Sequence, residues 1–195
     1  MLKAHSITTT KPQIITCKYN ITMYLRIIIF FIFTGIFCVV FALGTTAEPT
    51  PEEVAEIMDY FEDVLEKVDS VLIFTHNLTI AIPMFIPGFG AIWGLFSAWS
   101  TGFAFAAIQT ATPELADVNP LALLLTPFGL MELAAYSIAM SRSFLLAKTL
   151  LQRKSILAEK TMILAEIGIV TALLVIGGVV EMYMIDMSGA LQTPA

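Results

Sequence analysis

The stretch Pro87-Gly-Phe-Gly-Ala-Ile-Trp-Gly-Leu-Phe-Ser-Ala-Trp-Ser-Thr-Gly-Phe-Ala-Phe-Ala-Ala107 decides how the chain is read. It is apolar throughout and uncharged. Small residues recur at every fourth position: Gly90, Gly94, Ala98, Gly102 and Ala106. On a helix that step keeps them close to one face. A face without side chains lets another backbone approach, which is how helices associate in lipid. Trp93, Phe96, Phe103 and Phe105 take the remaining directions. The stretch therefore reads as the central helix of a membrane bundle, with Gly90 to Ala106 as its packing groove. The rival, a buried helix of a soluble protein, needs a polar remainder, and the remainder is as apolar.

Working outward, the 195 residues are 57% hydrophobic and 13% charged, with a mean hydropathy of +0.84. Soluble domains are about a quarter charged. At roughly 20 residues per span, four to six spans fit. The net charge of -6 is concentrated, because nine of the sixteen acids lie between Glu48 and Asp69. A nucleic-acid footprint would be basic, so that class is excluded. Two cysteines, Cys17 and Cys38, make neither a disulfide framework nor a metal-ligand spacing.

On the N-terminal side, residues 1–26 form a basic tail with Lys3, Lys11, Lys18 and Arg26 and no acid. Residues 27–47 are an apolar run closed by small residues, the pattern of a cleavable signal or of a signal anchor. A start at Met23 would give a more ordinary signal sequence. Residues 48–70 are acidic and periodic. Thr50-Pro51-Glu52-Glu53 is a helix start, with a Thr cap, Pro at the first helical position and Glu three residues after the cap. Val54, Met58, Phe61 and Leu65 then fall on one stripe, widened by Ile57 and Val64. The stripe needs either the chain's own bundle or a partner protein, so these four residues are a candidate docking surface. An acidic helix is not one that seeks anionic lipid.

The membrane part is expected over 71–184, as runs 71–86, 90–108, 120–140 and 162–184, followed by a tail at 185–195. The first run is short for a span, and Pro87 to Gly90 break it before the central helix. Residues 71–107 thus predict a helical hairpin, fully spanning or re-entrant, with no charge in its turn to fix a side. Arg142, Lys148, Arg153, Lys154 and Lys160 make a basic linker that belongs in the cytoplasm. The expected fold is an all-α, polytopic transmembrane bundle of about five spans, or four after signal cleavage, with an extracytoplasmic acidic amphipathic helix. The N-terminus is expected in the cytoplasm, with residues 48–70 and the C-terminus outside.

Polar residues inside apolar runs are candidate sites, because ionisable groups in lipid are costly and seek partners. His76 with Asn77, and Glu132 about twelve residues into its run, are the expected intramembrane cluster. A His76–Glu132 contact would relieve the carboxylate. Glu166 is expected to pair with Lys160 or to sit at the interface. No zinc motif, Gly-x-Ser-x-Gly or phosphate loop is present, so no catalytic residue, metal site, cofactor or small-molecule substrate is expected. Asn20-Ile-Thr22 and Asn77-Leu-Thr79 match the glycosylation triplet in cytoplasmic and membrane settings, where they read as chance.

Four segments carry a resemblance: Ile73-Phe74 with His76-Asn77-Leu78, then Ile86-Pro87-Gly88-Phe89-Gly90, then a small-residue helix around Gly102, then Thr126-Pro127-Phe128-Gly129-Leu-Met-Glu132-Leu-Ala134. Together they resemble the stage II sporulation protein M family over residues 25 to 185, most specifically 72–140. The family has a Phe-x-Asn-Asn start, a glycine turn and a Pro-His-Gly…Glu segment. This chain departs from it at His76, where the family tends to have Asn, and at Phe128, where it tends to have His. The resemblance implies a polytopic membrane protein without known catalytic activity, similar to a scaffold that recruits cell-wall hydrolases in spore formers. The first expectation is accordingly a non-enzymatic scaffold or accessory subunit, partnered with other membrane or surface proteins in the bilayer. The alternative is a small proton-coupled transporter or channel using Glu132.

Overall fold

A computed structural model describes the backbone of residues 11–188 and the side chains of residues 23–187. Lys3 and His5 lie outside the described residues, as do Gly189 to Ala195 of the tail and the side chains of Lys11, Cys17, Lys18, Asn20 and Thr22. The described chain is all-helical: α1 (Lys11–Thr45), α2 (Pro51–Lys67), α3 (Ser70–Ala81), α4 (Phe89–Ala111), the single turn α5 (Leu121–Leu124), α6 (Pro127–Leu151) and α7 (Lys160–Ser188). Four stretches are long and apolar enough to cross a bilayer: Met23–Thr45, Phe89–Ala111, Pro127–Leu151 and Ile156–Met187. The fold class is the expected one.

Local chemistry sets the helix starts. At α2 the capping box forms, with the Glu53 N–H donating to Thr50 Oγ1 at 3.3 Å and the Thr50 N–H to Glu53 Oε2 at 2.8 Å. Asp69 caps α3 through the Leu72 N–H at 2.7 Å. Thr126 caps α6 through the Gly129 N–H at 3.0 Å, with Pro127 next. The run expected at 120–140 therefore divides. Its first residues make α5, and a new helix begins at Pro127 and continues past 140 to Leu151. It continues because Arg142, a charge that should end an apolar run, is 1% exposed and matched by carboxylates.

The bundle closes around α4. Gly90, Gly94, Ala98, Gly102 and Ala106 are all buried. Their neighbours are this chain's own elements. A Cβ on Gly102 would strike the Phe41 carbonyl of α1, one on Gly44 would strike the Trp99 carbonyl of α4, and one on Gly94 would strike Met140. α1 and α4 thus touch backbone to backbone. From α1, Ile29, Phe33, Phe37 and Phe41 face the core at every fourth position, beside Leu133, Ala135, Tyr136, Ala139 and Met140 of α6 and Val170 and Leu174 of α7.

The hairpin is shorter than the helices around it. α3 runs into a 3-10 turn at Ile82–Phe85. The two together extend about 26 Å, against a hydrocarbon core of about 30 Å. Pro83 has no N–H to offer the Ile80 carbonyl behind it, and Trp93 Nε1–H donates to that oxygen at 3.0 Å. Gly88, at φ 79°, takes the left-handed conformation that lets the chain reverse. Ser143 of α6 covers the turn. Its hydroxyl donates to the Ile86 carbonyl at 2.6 Å and accepts from the Ala91 N–H at 3.2 Å, and its own carbonyl accepts from the Gly88 N–H at 3.3 Å. Non-helical backbone at depth needs such protein cover.

Candidate functional site: two polar clusters in an apolar bundle

Antiparallel packing of α6 and α7 places residues equally distant from Lys154 opposite one another. Met131 lies beside Gly177, and Arg142 meets Glu166. Two polar clusters arise at different levels of this pair.

The first cluster joins α3 and α6. Asn77 is buried, and its Nδ2 donates to Glu132 Oε1 at 2.5 Å. Tyr136, one helical turn after Glu132, donates its hydroxyl to Asn77 Oδ1 at 3.1 Å. The Asn77 side chain is therefore held by both α6 residues, and the Tyr136 ring stacks on Phe37 of α1 at 6.0 Å. Glu181 of α7 is near enough to act electrostatically on both Glu132 and Tyr136. No cation bonds to either carboxylate among the described residues.

The expected trio of His76, Asn77 and Glu132 is corrected by one member. His76 is exposed and makes no hydrogen bond or ion pair with Glu132. Adjacent residues on a helix point about 100° apart, so one of the two can face α6, and Asn77 does. Depth is corrected too. Because α6 begins at Pro127, Glu132 lies about 7.5 Å from that helix's start instead of near its middle.

The second cluster lies about 15 Å further along α6, at Arg142. Its guanidinium forks onto Glu166 through Nε and Nη2 and donates from Nη1 to Glu159 Oε2 at 2.8 Å. Arg26 of α1 lies 3.4 Å from Glu159 and 3.7 Å from Glu166. Thr149 donates to the second Glu159 oxygen at 3.0 Å. Two arginines thus balance two glutamates where α1, α6 and the start of α7 meet. The expected Glu166–Lys160 pairing does not form. Lys160 is exposed at the start of α7, whereas Arg142 faces Glu166 across the helix pair.

The candidate docking helix α2 packs on α4. Val54, Met58 and Leu65 are half-covered there, while Phe61 is 39% exposed and its neighbour Tyr60 is 58% exposed. Lys67 donates to Asp63, and that bond holds the ammonium's pKa above its ordinary value. The face remains strongly acidic.

Sequence reasoning missed Tyr136, Glu181 and the burial of Arg142. The signals were present: Tyr136 stands four residues after Glu132, and Arg142 lies within a largely uncharged stretch of α6. No group of three or more His, Cys, Asp or Glu among the described residues could hold a metal ion.

A sequence model of the family described as "Stage II sporulation protein M" matches residues 22–184. Neither a search of curated proteins nor one of solved structures finds a match.

Proposed function

Since the chain belongs to the stage II sporulation protein M family, we propose that it is a non-catalytic membrane scaffold that presents α2 to other membrane or surface proteins. Its helices make it a membrane protein. The orientation follows from charge. Lys148, Arg153, Lys154 and Lys160 gather where α6 ends and α7 begins, with Arg26 of α1 beside them, so that end is proposed as cytoplasmic. α2 and the acidic 112–119 loop stand at the other end, outside. α1 is proposed to stay as an anchor, because four of its side chains fill the core.

The carrying observation is that α2 is only half-covered. Its stripe rests on α4, while Tyr60 and Phe61 stay exposed among carboxylates. The α4 groove supports internal packing instead of assembly, since the chain's own helices occupy it. The test is Tyr60→Ala with Phe61→Ala. Blue-native electrophoresis is expected to show loss of the larger complex with membrane insertion intact. An unchanged complex would count against the scaffold reading.

A second reading is favoured by one observation, the two carboxylates Glu132 and Glu181 near each other without a cation. A small proton-coupled transporter or channel would use Glu132, and pH-driven flux in liposomes should then vanish in Glu132→Gln. Absence of flux in the parent protein would end it.

A further inference from the structure

A cavity of about 520 Å³ opens between the Met23 to Arg26 stretch of α1, the end of α6 and the start of α7. That volume lies within the range of small-ligand sites. Arg26, Lys148 and Lys154 line it, beside Thr149, Gln152 and the carboxylate of Glu159. Arg26 is already matched by Glu159 and Glu166. The two lysines are not matched. Lys154 donates to Gln152 Oε1 at 2.7 Å, and no carboxylate pairs with either ammonium among the described residues. Two surplus positive charges therefore face one recess.

A second cavity of about 400 Å³ adjoins it and shares Arg26 and Leu145. Its lining is chiefly apolar, with Ile27, Phe31, Ile138 and Ile169, and Glu166, bonded to Arg142, closes the side next to the recess. Ile27, Phe31 and Ile169 are exposed on the bundle's outer surface, where acyl chains run. A recess with two unpaired ammonium groups beside a chiefly apolar groove matches the two halves of a lipid. Basic pockets between helices on the cytoplasmic side take acidic headgroups for this reason.

We propose that the two cavities bind one anionic phospholipid, its phosphate between Arg26, Lys148 and Lys154 and an acyl chain along the groove of Phe31 and Ile169. The phosphate supplies the anion that the two lysines lack. The chain's buried apolar area favours a lipid over a free phosphate ion, which would use only the recess. The proposal stands whether or not α2 docks a partner.

The test uses the full chain in mild detergent and native mass spectrometry, with phosphatidylglycerol, phosphatidylcholine or inorganic phosphate added. Phosphatidylglycerol should be retained roughly tenfold or more over phosphatidylcholine, the scale expected from two lysines near a headgroup. Lys148→Gln with Lys154→Gln should lower that preference to near unity. Arg153→Gln with Lys160→Gln removes the same charge outside the lining and should leave it intact. Ile169→Trp, which fills the groove, should weaken retention with the lysines unchanged. Equal retention of the two lipids, or equal losses in both charge variants, would overturn the proposal. Retention in Ile169→Trp at the parent level would do the same, as would inorganic phosphate held as firmly as phosphatidylglycerol. Circular dichroism matching the parent confirms that each variant is folded.

Discussion

The two polar clusters solve one problem in opposite ways. Around Arg142, charge is answered with charge: two arginines and two glutamates cancel, and Thr149 satisfies a remaining carboxylate oxygen. Around Glu132, a carboxylate is answered with one neutral donor, Asn77, itself held by Tyr136, and a second carboxylate, Glu181, stands nearby. A balanced ion network resists loss of any one member, because removal strands an opposite charge in low dielectric. A cluster held by an amide and a phenol tolerates loss of the charge so long as shape and hydrogen bonds remain. The arginine cluster is therefore the rigid end of the bundle, and the asparagine cluster is the adaptable one.

That contrast can be broken by substitution. Arg142→Ala should have the largest effect, destabilising the bundle by about 3–5 kcal/mol because Glu159 and Glu166 lose their buried partner. Equilibrium unfolding in mixed micelles measures it, and a cost below that of any Glu132 variant would reverse the comparison. Glu132→Leu should follow at about 1–3 kcal/mol, since it leaves Asn77 buried with an unmade bond. Glu132→Gln keeps an acceptor for Asn77 and should cost far less in the same assay. Tyr136→Phe should remove about 1 kcal/mol, for one neutral hydrogen bond.

At the small end stands Lys67, the exposed pair on α2. Its pKa is raised by Asp63 above the ordinary 10.5. The bond's stabilisation is therefore complete below that value and is lost as pH rises through the folded pKa. Lys67→Met should leave stability unchanged between about pH 6 and pH 9, because exposed pairs contribute little. A clear shift in that window would mean that α2 is held by charge instead of by its stripe on α4.

Much of this is readable from the residues. The four-residue spacing of Gly90 to Ala106 identifies the buried face of α4, and Thr50-Pro51 marks the start of α2. Thr126-Pro127 carries the same signal, yet the apolar run around it hides the break between α5 and α6. Arg142 reads as the edge of a span because a single charge carries no information about its partners. The other members of its network come from the two ends of the chain, Arg26 standing 133 residues before Glu159. The choice between His76 and Asn77 is equally closed to sequence. Each is polar, and only the rotation of α3 against α6 decides which turns inward. The groove's occupants are also out of reach, since small residues announce close contact without saying whose backbone arrives.

Ser143 and Arg142 are neighbours, and each ties α6 to something different. Ser143 holds both sides of the Ile86 to Ala91 reversal, and Arg142 holds α7 directly and α1 through the shared glutamates. A slide of the hairpin along α6 by one helical pitch, about 5.4 Å, would break every bond that Ser143 makes to the reversal at once. A comparable slide of α7 would tear the guanidinium from Glu166. The end carrying Arg142 is thus latched in register on two sides. Sliding of the hairpin or of α7 along α6 is opposed from two adjacent residues, one facing each neighbour.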